Sequence, residues 1–353
     1  MKKIALNEEN VKYLGRTVFI DDGIWCGLSG TGISFKFRGK RLKIELAGDS
    51  GVFEDASNHA RVGIYLDNKR IKDIMIDEKS MTVDVIDSEV EVSNEIRIVK
   101  LSESAMSTFG ITELSADNDA VIEPADPKER KIEFIGDSIT CGYALDDEDL
   151  SHVFSTATED VTKTYAYKTA EALDADYSFV CMSGYGIISG YTANGEKIPS
   201  QTIPQYFDGC GFSYHKFADK IYPSDVKWDH SRFSPDVVVI NLGTNDDSYC
   251  LDDESKQKEF SDAYSEFLKQ VRNADKKALI ICCVGIMGQR IFPAVKCGAE
   301  KYISETGDDR VAILEFDEQL ETDGRVVDYH PTEVTNSKAA DVLIAEIKKE
   351  MNW

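Results

Sequence analysis

The apolar pattern of this chain changes period once, near residue 131, and that change restricts the folds open to it. Before that point the apolar residues alternate with polar ones. The run "GISFKFRG" spaces Ile33, Phe35 and Phe37 two apart, and "RLKIELAG" does the same with Leu42, Ile44 and Leu46. "TVDVIDSEVEV" and "EIRIVKL" continue the pattern, the latter through Ile96 and Ile98. Period-two alternation in short runs, punctuated by Gly and Asp-Asn, describes strands with one buried face. Residues 1–115 therefore read as an all-β domain, a sandwich or jelly roll of antiparallel strands. The polar, proline-containing stretch 116–130, "ADNDAVIEPADPKER", reads as a linker.

From 131 to 353 the apolar runs become continuous. "KIEFI", "YSFVCMSG", "DVVVINLG", "ALIICCVGIMG" and "VAILEF" lack alternation. Such strands are buried on both faces, as in a parallel sheet covered by helices. Helical stretches separate them, near 163–173, 255–273 and 334–350. In the second of these, Phe260, Ala263, Tyr264, Phe267 and Val271 recur at spacings that line one helix face. The expectation is a three-layer αβα domain with about five parallel strands.

Charge narrows the partners. The net charge is −24, which would repel nucleic acid and an anionic membrane surface but is indifferent to a neutral sugar. The N-terminus lacks the apolar core of a secretory signal, and no run approaches the roughly 20 apolar residues of a membrane helix. The eight cysteines include no C-x-x-C pair, so neither a zinc site nor a redox pair is indicated. Reduced thiols fit a cytoplasmic location, which is the expectation. The acidic runs "LDDEDL" and "CLDDES" lack calcium-loop spacing, and "GDSITCG" lacks the lysine of a phosphate loop. No metal and no cofactor is expected.

In open α/β sheets the site forms beyond the carboxyl ends of the strands. The residues there are Gly136-Asp137-Ser138, then Ser183-Gly184-Tyr185-Gly186, then Gly243-Thr244-Asn245-Asp246, and finally "VVDYHPT" with Asp328 and His330. A serine, a histidine and hydrogen-bond donors at one sheet edge suit acyl transfer. Asp137, beside the serine, reads as a structural hydrogen-bonding residue of the turn.

These blocks, in this order, resemble those of the SGNH or GDSL-type hydrolases over about 131–353. With the β-domain in front, the whole chain resembles carbohydrate esterase family 2, in which a jelly roll precedes the SGNH domain. The resemblance implies Ser138 as nucleophile and His330 as base. It assigns the oxyanion hole to the backbone N–H groups of Ser138 and Gly184 and the side-chain amide of Asn245. Most SGNH enzymes carry Asp-x-x-His; this chain has Asp-x-His, with Asp328 two before His330. The expectation is that the Asp328 carboxylate orients the imidazole and completes a triad, with a backbone carbonyl as the other possibility. The resemblance also implies removal of O-acetyl groups from plant-derived, manno-, xylo- or gluco-configured oligosaccharides. Tyr185, Trp228 and Tyr329 lie beside the motifs as aromatic platforms for sugar rings. The alternatives are a lipid or thioester hydrolase on the same fold, or a carbohydrate-binding protein with a vestigial site.

Overall fold

The computed structural model describes all 353 residues and divides them into two compact units. The first comprises Met1–Pro127, Ser155–Glu159 and Gly209–Lys227; the second comprises the remainder. No helix is long and apolar enough to cross a membrane.

The first unit is an all-antiparallel β structure of ten hydrogen-bonded strands. The alternation seen in the sequence sets its faces. Ile33, Phe35 and Phe37 are buried while Lys36 and Arg38 point to solvent. They share one core with Leu42, Ile44, Leu46, Ile96 and Ile98. Runs that look like separate strands are continuous. Gly32–Gly48 is one strand, paired along its length with Met81–Lys100. Gly39 marks an irregularity in register between Gly39 and Arg41, not a turn. A bulge bends a strand without ending it. The stretch 116–130, expected to be a linker, carries the strand Val121–Pro124, which pairs with Phe35–Arg38. Its short length and its proline, tolerable on a sheet edge, hide it from pattern reading.

The second unit holds the parallel sheet. Its strands are β1 (Arg130–Gly136), β2 (Ala175–Cys181), β3 (Val237–Asn241), β4 (Leu279–Val284) and β5 (Val311–Glu315). They lie in the order β2-β1-β3-β4-β5, every pair parallel. Six helices accompany them: α1 (Ser138–Cys141), α2 (Tyr165–Ala172), α3 (Thr244–Cys250), α4 (Glu254–Ala274), α5 (Phe292–Thr306) and α6 (Glu333–Met351). Tyr165, Ala166 and Ala170 of α2 and Leu343 and Ile347 of α6 share a core with Phe134, Phe179, Val239 and Cys283. On the other face Cys282 meets Tyr264 of α4. The adjacent cysteines thus point to opposite layers, as the pleat requires. Register places Gly136 level with Cys181 on one side and Asn241 on the other, so three strands end at one edge.

Candidate functional site

The β1–α1 junction is built by its own residues. Asp137 caps α1, its carboxylate accepting from the Ile139 N–H at 3.1 Å. Gly142 ends the helix in the left-handed region, φ +91°, and donates to the Ser138 carbonyl at 3.1 Å. One short helical turn therefore holds Ser138, itself buried, at the sheet edge. Gly184 follows β2 by three residues with φ +81°, a conformation that disfavours any side chain. Asn245 stands in the first turn of α3, four residues beyond β3.

His330 arrives on the loop before α6. Its Nε2 lies 2.8 Å from Ser138 Oγ, and its Nδ1 lies 3.2 Å from the backbone carbonyl of Asp328. A carbonyl only accepts, so Nδ1 carries the proton and the Nε2 lone pair faces the serine hydroxyl. Desolvation lowers the half-buried imidazole from its usual 6.5 to about 4, against opposing pulls from Asp328 and the backbone. The ring is therefore a neutral acceptor at neutral pH.

The Asp328 carboxylate does not complete a triad. It accepts from the Tyr143 hydroxyl at 2.6 Å, and only the main chain of Asp328 reaches the imidazole. The reason is local backbone: Asp328 and the next residue, Tyr329, both lie in the left-handed region, φ +54° and +62°, which aims the Asp328 carbonyl rather than its side chain at His330. Sequence spacing cannot show such a turn.

Asn245 is engaged at both amide hydrogens, donating to Asp137 Oδ2 at 3.2 Å and to the Tyr185 carbonyl at 2.9 Å. Burial pushes Asp137 up to about 7, and the neighbouring Asp246 carboxyl adds to the rise. Asp246 accepts from the backbone N–H groups of Ile187, Ile188 and Ser189 at 2.7–3.0 Å, fixing the loop beyond Gly184. Two of the three aromatic platforms are corrected. Tyr185 and Trp228 are each 5% exposed, whereas Tyr329 is 66% exposed. Buried rings present no face to a sugar. Sequence reading passed over Tyr191, exposed and joined by its N–H to the Gly184 carbonyl at 2.9 Å. It also missed Tyr143, whose ring stacks on His330.

Residues 13–125 match the family model described as carbohydrate esterase 2 N-terminal, and residues 134–333 match the GDSL-like lipase/acylhydrolase family. The cellulase/esterase CelE of Acetivibrio thermocellus is 28% identical over 98% of this chain, which spans 40% of that protein's length. An acetylxylan esterase/glucomannan deacetylase of Cellvibrio japonicus is 25% identical, covering 99% of this chain and 91% of its own. A family two carbohydrate esterase from Clostridium thermocellum, solved with cellohexaose, superposes with a TM-score of 0.82 at 27% identity, over 97% of this chain and 99% of that one. With residues 134–333 matching its model over more than half of the chain, behind a domain that matches carbohydrate esterase 2 N-terminal, this chain belongs to the GDSL-like lipase/acylhydrolase family.

Proposed function

We propose that this protein is a serine esterase that removes O-acetyl groups from oligosaccharides. The observation that carries the reading is the pair of bonds on His330, Nε2 to Ser138 Oγ and Nδ1 to a carbonyl that can only accept. This geometry suits proton removal from a hydroxyl nucleophile. Ser138 Oγ attacks the acetyl carbonyl carbon as Nε2 takes its proton. The tetrahedral oxyanion lies against the N–H groups of Ser138 and Gly184 and an amide N–H of Asn245. For Asn245, the longer bond to Asp137 is the one that yields. The protonated imidazole then returns its proton to the departing sugar oxygen, leaving an acetyl ester on Ser138. Water, deprotonated by His330, attacks that ester; the bond to Ser138 Oγ breaks, His330 returns the proton to Oγ, and acetate is released.

Three supports bear on the substrate. The Cellvibrio relative is named for acetylxylan and glucomannan, the Clostridium structure holds cellohexaose, and exposed Tyr329 and Tyr191 adjoin His330 and Gly184. We take these two tyrosines as the rings on which a sugar stacks, and the sugar as manno-, xylo- or gluco-configured. The test is a panel of esters: acetylated xylo-, manno- and gluco-oligosaccharides beside long-chain 4-nitrophenyl esters and acyl thioesters. Acetate release from the oligosaccharides at far higher kcat/KM than cleavage of long acyl chains is expected. A preference for long chains, or oligosaccharide binding without turnover, would replace the reading by a lipid hydrolase or a binding protein.

A further inference from the structure

The histidine of this site lacks a carboxylate partner, and something else must hold it in line. We propose that Tyr143 is the positioning residue that takes over this task, acting on the ring directly and on the Asp328 carbonyl through the Asp328 side chain. The inference rests on the esterase reading above.

Three contacts converge on Tyr143. Its ring stacks on His330 with centroids 4.2 Å apart and planes 23° apart. Its opposite face stacks on Phe154, again at 4.2 Å, with planes 16° apart. Its hydroxyl donates to Asp328 Oδ2 at 2.6 Å. Tyr143 is thus clamped from behind by Phe154 and from its tip by a carboxylate, while its other face sets the plane of the imidazole. The second link runs through the backbone. Two consecutive non-glycine residues in the left-handed region are strained. Such a turn persists only where its surroundings hold it. Asp328 is held at its side chain by Tyr143. The Gln319 amide donates to the Tyr329 carbonyl at 3.0 Å, and Val326 N–H donates to the His330 carbonyl at 3.0 Å. Of these ties, the Tyr143 bond acts on the residue whose carbonyl receives Nδ1–H. The carboxylate therefore serves the histidine at one remove. It anchors a loop whose peptide oxygen does the orienting. The stacked ring also faces the imidazolium that forms when Ser138 loses its proton, and an aromatic face attracts such a cation.

The experiment is a mutant cycle on 4-nitrophenyl acetate hydrolysis, a probe that reports acyl transfer whatever the sugar, with melting curves to confirm folding. Tyr143→Phe keeps both stacking faces and removes only the hydroxyl; Asp328→Ala removes its acceptor. Each is expected to lower kcat about tenfold with KM little changed, and the double variant to be no worse than the poorer single one, since both cut the same link. Asp328→Asn retains an oxygen that accepts from the phenol and is expected to recover most of what Asp328→Ala loses. Tyr143→Ala uncovers the imidazole, so the acid limb of its kcat/KM profile moves up in pH toward 6.5; that of Tyr143→Phe stays in place. A carboxylate acting directly on Nδ1 gives the opposite pattern, with Asp328→Asn falling about 10⁴-fold and Tyr143→Phe almost silent. That pattern, multiplicative losses in the double variant, or an unmoved acid limb in Tyr143→Ala would overturn the proposal. Ser138→Ala, run beside them, separates the two inferences: if it stays active the esterase site itself is wrong, whereas if it is dead and the cycle fails only the role of Tyr143 falls.

Discussion

His330 sets the pH behaviour of this site. Its depressed pKa, about 4, means that the imidazole is already neutral and able to accept the Ser138 proton well below pH 6. As pH falls through about 4 the ring protonates and the base is lost. The acid limb of kcat/KM on a neutral ester is therefore expected near 4, and a limb near 6.5 would show that the ring is not desolvated in the working enzyme. Asn245→Ala removes a proposed oxyanion donor and should lower kcat on the order of 10²–10³-fold, with some loss of melting temperature because Asp137 and the Tyr185 carbonyl lose its N–H groups; a folded variant within a few-fold of wild type would remove Asn245 from the mechanism. Ser138 and His330 were legible because each stands in a short motif after an apolar run. The role of Asp328 was not. Its distance from His330 along the chain resembles that of a triad acid, but two left-handed residues turn the carboxylate toward Tyr143. Nothing in "GDSITCGY" shows that its tyrosine folds back over a histidine 187 positions later.

Among the elements, the loop following β2 depends on α3. Asp246 accepts three successive backbone N–H groups from Ile187 to Ser189, and each of these would otherwise be buried without a partner. An unsatisfied buried donor costs about 1–3 kcal/mol. Asp246→Ala is thus expected to lower the melting temperature and, by loosening the segment that carries Gly184, to reduce kcat as well. Unchanged thermal unfolding together with unchanged turnover would show that the loop is held by other means. The five parallel strands were readable because burial on both faces leaves continuous apolar runs. The helix α5, "FPAVKCGAEKYISET", was not, because its buried face is made of Ala294, Gly298 and Ala299 beside Val295 and Tyr302. Small residues bury without producing a strong apolar stripe. In the first unit the alternation revealed strands but not their lengths, since a break in register after Gly39 looks like a turn in sequence.

At the level of the whole chain, the division into units is not a division of the sequence into two blocks. Ser155–Glu159 and Gly209–Lys227 belong to the β unit although they lie within the stretch that builds the hydrolase domain. Thr156 Oγ1 donates to the carbonyls of Ser57 and His59, the Glu159 carboxylate accepts from the Glu103 N–H, and the Gly209 carbonyl accepts from Arg16. Such excursions leave no mark in periodicity, because their partners are more than fifty residues away. A fragment of residues 131–353 keeps both segments but loses these partners, Ser57, His59, Glu103 and Arg16. It is expected to be markedly less stable than the full chain and poorly active; a fragment equal to the full chain in melting temperature and turnover would contradict this. Above these details stands the claim that Ser138 carries the acetyl group from sugar to water. The direct test is to quench the enzyme during turnover of an isotopically labelled acetylated oligosaccharide and locate the label by peptide mapping. The account predicts acetyl on Ser138 in the wild type, with no label and no acetate release in folded Ser138→Ala. Label on another residue, or acetate release that persists in Ser138→Ala, would contradict it.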